Sequence, residues 1–327
     1  MESKSKQNIL GAIWAFLRGT KRGYSQENYV VEKENAAKVV ATFFAWWKSD
    51  ITPELAYGYW RDVHGPWASR TPGFYQYRQL YLNHLDPTLL SGLQGIDLDI
   101  PSSEQPNGIA NIFYSSRFMA NLLRKPFAKK IADKDDVYFV SRNTYQRASL
   151  PISKTFVDKL NTPEQNGPLK NPRYLLAFKK KDEMSSSSFG EYLVSEFCEP
   201  WSKYDHTKRL RVEVLTLHEN EPTSPNGVSH TWPEEEQYHA WIEIELSEGI
   251  NLSSLFDSSK PYGSYLRSIH AYPIREIYTF VFDGKPTLVG LRGYQAASTV
   301  ESLHADFQKS KRILKSLYKK DMYRREG

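Results

Sequence analysis

A Pro-Trp pair occurs twice in this chain, at Pro66-Trp67 and Pro200-Trp201. Each closes a helix-length segment that follows a Lys-x-Asp turn, Lys48-Ser49-Asp50 in one case and Lys180-Lys181-Asp182 in the other. The same order of elements surrounds each pair. Residues 39–48 are rich in β-branched and aromatic side chains and predict a strand. A helix to His64 follows, then a strand over 74–82 and a loop rich in Asp, Pro, Ser and Gly over 83–107. A strand at 109–114, a helix at 116–132 and a broken strand at 137–146 complete the unit. After 161–171, a linker by composition, the order recurs: strand 173–179, helix 189–203, alternating strands 210–217 and 238–246, an interrupted helix 252–270 and strand 274–282.

Each half reads βαββαβ, the ferredoxin-like unit. One such sheet leaves a bare face, and two units bury those faces together. The fold class expected is α+β, with two tandem units forming a pseudo-dimeric α/β barrel. The 327 residues divide into a helical extension (1–34), a first unit (35–160), the linker (161–171), and a second unit with a C-terminal helix (172–327).

The segment 59–73 carries the chemistry. Thr52 can cap its helix and Pro53 suits the first helical position. Gly65-Pro66 is expected to end it, which puts His64 on the last turn. Imidazole is the side chain whose ordinary titration lies nearest neutral pH. On the residues alone, His64 is either a general acid/base at a pocket mouth or a helix-end side chain bonding the last carbonyls. Trp60 shares its face, and Tyr59 adjoins it. Arg61 and Arg70 either hold a substrate carboxylate or pair with Asp62 and Glu54. Tyr75 and Tyr77 line or fill the space beside the second strand, and their inward parity is open. Aligning the repeats sets Asp62 against Glu196 and His64 against Cys198, so one active pocket is expected, in the first unit.

Tyr59-Trp60-Arg61-Asp62-Val63-His64-Gly65-Pro66, followed by Pro72-Gly73 and the aromatic strand 74–78, resembles the EthD family of the dimeric α/β-barrel superfamily. The likeness covers about residues 43–82 and returns weakly at 287–308, around Gly290-Leu291-Arg292-Gly293-Tyr294-Gln295. It implies a cofactor-independent cyclase, isomerase, decarboxylase or oxygenase acting on an aromatic, polyketide-like or lactone substrate. His64 would be the acid/base, with Trp60, Tyr59, Tyr75, Tyr77 and Arg61 around the substrate. Two alternatives remain. One is a ligand-binding or accessory protein without catalysis. The other is a haem enzyme with His270 or His239 as axial ligand.

Composition excludes other classes. The net charge of +5, from 43 basic and 38 acidic residues, is mild. No nucleic-acid motif accompanies the basic stretch 309–320, which reads as an amphipathic helix. The single cysteine, Cys198, allows no intrachain disulfide and no Cys-based zinc site, and suits the cytoplasm. The apolar run 9–17 is too short to span a bilayer and reads as a helix docked on the body. Glycine-rich nucleotide motifs and a Gly-x-Ser-x-Gly elbow are missing, and no histidines fall at metal-ligand spacing. The expectation is therefore no bound metal, flavin or haem. A homodimer through outer faces is open.

Overall fold

The computed structural model describes residues 28–123, 132–221, 223–224 and 227–317. The apolar run 9–17, the middle of the helix expected at 116–132 and the end of the basic stretch lie outside the described residues. In the first half, strands β1 (Val39–Trp47), β2 (Phe74–Leu82), β3 (Gly108–Tyr114) and β4 (Val140–Arg147) lie in the order β4-β1-β3-β2. Two short strands follow, β5 (Lys154–Asp158) and β6 (Asn166–Pro168). In the second half, β7 (Arg173–Lys180), β8 (Thr207–Val214), β9 (Ala240–Leu246) and β10 (Leu266–Phe282) lie in the order β10-β7-β9-β8. Both are the 4-1-3-2 order of a βαββαβ unit, and every ladder between these strands is antiparallel.

The halves are joined by their fourth strands. The first part of β10 pairs with β7, and from Ile274 onward it pairs with β2 of the other unit. The first unit does the same in two pieces: β4 pairs with β1, and β5 pairs with β8. Each crossing carries a proline, Pro151 or Pro273, where a missing N–H suits a change of partner. An Ala148–Leu215 bridge closes the other seam. The chain thus completes an α+β barrel with its own strands.

Three expectations need correction. The first is the helix expected at 252–270, ahead of the last strand. Pro261 and Gly263 reduce it to two short turns, Leu252–Leu255 and Tyr262–Ser264, and β10 begins at Leu266. The segment 161–171 is not only a linker, because β6 lies in it and pairs with β10. The third concerns the helix before β2. Helix α1 (Tyr29–Asn35) precedes β1, and α2 (Pro53–Tyr59) starts on a Thr52 cap as expected. Gly65-Pro66 does not end it. A π-helical turn, Trp60–His64, carries it into α3 (Gly65–Ala68). Pro66 falls at the start of α3, where no N–H is required of it. Gly65 is required there, since a Cβ would lie 2.2 Å from the Phe280 ring.

Helix α4 (Arg117–Leu123) follows β3, and α5 (Ser186–Leu193) follows β7. The second unit repeats the π turn at Val194–Cys198 before α6 (Glu199–Ser202). After β10 come α7 (Leu288–Arg292), α8 (Tyr294–Ser302) and α9 (Lys311–Leu317).

Alternation along the strands divides the core. Val39, Ala41, Tyr77, Tyr81 and Ile112 face the helices of the first unit, and Leu176, Phe178, Val212 and Ile242 those of the second. The opposite parity fills the barrel. Phe44, Leu80, Leu175, Trp232 and Trp241 pack one part of it. An ionic lattice fills another. Glu243 is fully buried and accepts from Arg78 at 2.7 and 2.8 Å and from Arg173 at 3.0 Å. Glu34 of α1 accepts two bonds from Arg209 at 2.9 Å and others from Gln76 and Thr155, and Arg209 also holds Asp158. Glu213 accepts from Arg211, Thr42 and Asn111. Such charges are tolerated inside only when mutually paired.

Candidate active site

Between the first unit's helices and its sheet lies a cavity of about 380 Å³. That is within the usual small-ligand range of roughly 300–1,000 Å³. Its walls are largely aromatic and aliphatic: Phe43, Trp60, Trp67, Phe74, Tyr77 and Phe139 among them. Besides the aromatic hydroxyls, the polar side chains are Thr71, His64, Asp133, Asp136, Asn143, His218, Glu221 and His230.

The π turn sets His64 against the helical residues 132–136. Its Nδ1 bonds Asp135 Oδ2 at 2.7 Å and stands 3.6 Å from Asp136 Oδ1. The Tyr59 hydroxyl donates to Asp135 Oδ1 at 2.7 Å. This leaves His64 Nε2 as the nitrogen available to a ligand. Burial works against the Asp135 carboxylate, but the hydrogen bond and charge of His64, with Tyr59, outweigh it and hold its pKa below the ordinary value. Asp136 behaves oppositely. Burial lifts it to about 6, against the pull of His64 and with the help of Asp135 and Asp133. Tyr59 is pushed up by burial and by its bond to Asp135, so its hydroxyl stays a donor.

The second unit supplies part of the wall. Its segment between β8 and β9 brings His218, Glu221 and His230 to the cavity. His218 bridges the Tyr145 and His230 carbonyls at 3.0 and 2.6 Å. His230 Nε2 lies 3.4 Å from Asp133.

The residues expected at the site divide. His64, Trp60 and Tyr77 line the cavity, and Tyr59 stands behind His64 on Asp135. Arg61 instead pairs with Asp62 at 2.6 Å and lies over the Tyr278 and Tyr294 rings. Tyr75 sits by the Asp283-Gly284 turn, with its carbonyl accepting from Gly284 N–H, and does not line the cavity. Arg70 is spent on the Pro66, Gly290 and Leu291 carbonyls. Asp62 caps α8, accepting from the Tyr294 and Gln295 N–H groups.

Sequence reading missed Asp133, Asp135, Asp136, Asn143 and the three residues from the second unit. Three aspartates within 133–136 were the available signal. Reading histidine spacing alone also overlooked that His64, Asp135 and Asp136 converge, with one ligand atom of each within 4.8 Å of the others. That spacing would admit a cation. The 2.7 Å contact from Nδ1 to Asp135 is, however, a hydrogen bond complete in itself. Haem does not fit the histidines considered for it. His270 is 1% exposed with Nδ1 on the Tyr238 hydroxyl, and burial lowers its pKa to about 3. Burial, with Lys180 and Lys179, lowers His239 to about 4, and neither histidine lines the cavity. Among the described residues, no helix is long and apolar enough to cross a membrane.

No family model matches the chain, and no curated protein matches it. Solved structures do resemble it. An anthrone oxidase-like protein aligns at 8% identity and TM-score 0.44, covering 76% of this chain and 94% of its own. A proposed monooxygenase of Fusobacterium nucleatum aligns at 8% identity and TM-score 0.40, covering 76% and 96%. A second, of Lactobacillus acidophilus, aligns at 7% identity and TM-score 0.35, covering 74% and 95%. At such scores the activities in those names stay with those proteins. The barrel is established by strand order.

Proposed function

We propose that this chain is a cofactor-independent enzyme that moves protons on a small apolar or aromatic substrate, with His64 as general acid/base. The observation that carries the reading is the Tyr59–Asp135–His64 series at the wall of an apolar cavity. Asp135 fixes the ring and its tautomer, and favours the imidazolium that forms when Nε2 takes a proton. Tyr59 holds the second Asp135 oxygen, so the carboxylate cannot swing away. Trp60 and Tyr77 serve as walls that position the substrate by shape, and the apolar lining keeps water from competing. Such a site suits abstraction of a proton from an activated carbon or a phenol.

His64→Ala tests the reading against a panel of enolisable aryl ketones and phenols. Turnover should fall by about a hundredfold or more. The fold should survive, because the side chain sits at a cavity wall and not in the packed core. Full activity in a folded variant would return His64 to a structural role.

A further inference from the structure

Asp135 and Asp136 are neighbours in sequence, yet the structure gives them different surroundings. Asp135 is occupied on both oxygens, by Tyr59 and His64, and does not line the cavity. Asp136 lines the cavity and is 6% exposed. Its Oδ2 accepts from Asn143 Nδ2 at 2.6 Å. Its Oδ1 is 3.6 Å from His64 Nδ1, beyond hydrogen-bond distance, and has no other partner among the described residues. One oxygen is therefore anchored by Asn143, and the other lies beside the imidazole proposed as base.

We propose that Asp136 is the acid of this site, a carboxylic acid that protonates the substrate's carbonyl oxygen while His64 Nε2 takes a proton from the adjacent carbon. The inference rests on the reading of His64 as base and names its substrate class: an enolisable ketone conjugated to an aromatic ring.

The step balances without a co-reactant. The C–H bond breaks and its electron pair becomes the new carbon–carbon double bond. The carbonyl π pair takes the Asp136 proton, and the enol is left between an imidazolium and a carboxylate. Return of the imidazolium proton to the same carbon or to a conjugated one, as the enol O–H gives its proton back to Asp136, gives exchange or isomerisation.

The surroundings lift the Asp136 carboxyl toward neutrality, so its protonated form is within reach for this task. Burial disfavours its anion, and Asp135 and Asp133 add like charge against the attraction of His64. His230 faces Asp133, and Asn143 is the neutral neighbour. Two acidic groups in one site with environments that push them apart is the usual mark of an acid and its partner. A concerted acid also avoids a free enolate in an apolar cavity, where an unpaired charge is costly.

The test follows solvent deuterium entering the α-carbon of 1-tetralone, by proton NMR in deuterated buffer, for the full chain and its variants. The unaltered protein should exceed the buffer rate, and His64→Gln should fall to it. Asp136→Asn should lose about a hundredfold in kcat with KM within about twofold, and Asp136→Glu should recover part of the loss. If Asp136→Asn keeps at least half the rate while His64→Gln is dead, the acid assignment is overturned and the base survives. If the unaltered protein never exceeds buffer, both are overturned for this class. A measurement on the unaltered protein covers the case in which Asp136→Asn does not fold. The carbonyl stretch of bound 1-tetralone should move to lower frequency on accepting the acid's hydrogen bond. A stretch left at its value in apolar solvent would overturn the assignment.

Discussion

Replacing Glu34 with glutamine tests whether the ionic lattice inside the barrel is a stabilising element of the fold. Glu34 comes from α1 and is 2% exposed. Its oxygens take two bonds from Arg209 at 2.9 Å, one from Gln76 at 2.9 Å and a longer contact from Arg78 at 3.4 Å. Burial opposes the carboxylate, but Arg209, Arg78 and Arg211 outweigh it and hold its pKa down to about 2 from 4.5. At 1.36 kcal/mol per pH unit, that corresponds to about 3 kcal/mol of folding stability. The folded value is the lower one, so the contribution is complete above about pH 4.5. It is lost as pH falls from there toward 2. Glu34→Gln keeps the shape and removes the charge, leaving Arg209 with Asp158 and Glu243 only. The variant should therefore be about 3 kcal/mol less stable at pH 7, close to the loss typical of breaking a buried pair. The gap should shrink to less than half by pH 3. Urea unfolding followed by tryptophan fluorescence, from pH 7 down to 3, reads both quantities. Equal stability at pH 7, or a gap that stays constant across the series, would refute the argument.

Three further outcomes are expected besides those for His64 and Asp136. Gly65→Ala should destabilise by about 1–3 kcal/mol, because its Cβ meets the Phe280 ring at 2.2 Å inside a packed layer. Gly58→Ala, in the same helix with nothing within 4 Å, should instead stabilise by up to about 1 kcal/mol; calorimetry of the pair separates crowding from helix propensity. Purified protein should show no Soret band, no flavin spectrum and no stoichiometric metal by elemental analysis. A metal that leaves on His64→Ala would replace the proton relay with a metal centre.

The order of elements was legible because each unit's strands are short, aromatic and bounded by turn residues. Repetition of the Pro-Trp landmark then confined the topology. What could not be read is where the chain exchanges partners. Residues 266–270 look helical after a polar loop, yet they begin a strand shared by two sheets. Alternation in Leu210-Arg211-Val212-Glu213-Val214 marks two faces, but not that both are buried. The charged face looks inward because the second sheet covers it, a tertiary fact with no local signature. The site was half legible for the same reason. His64 is placed by its own helix, whereas its partner Asp135 lies 71 residues on. His218 and His230 arrive from the other unit altogether.

The two halves differ in the space beneath their π turns, which is why one cavity is expected to work and not two. Both units keep the π turn before the Pro-Trp pair, at Trp60–His64 and Val194–Cys198. In the first unit the turn opens on a cavity, because Gly65 lets the helix sit against Phe280 and polar groups converge below it. In the second, the corresponding space is packed. Phe197 of the π turn meets Phe178, Tyr192, Trp201, Phe256 and Tyr262. Cys198, where the first unit has His64, is fully buried, and burial pushes its thiol well above the ordinary range. A thiol so placed is a core side chain and not a nucleophile. The second unit contributes instead from its β8–β9 segment, which walls the first unit's cavity with His218 and His230. One half thus packs its helix–sheet space as core, while its β8–β9 segment walls the cavity of the other half. The residues facing Asp133 and Tyr145, His230 and His218, come from that segment and not from the first half.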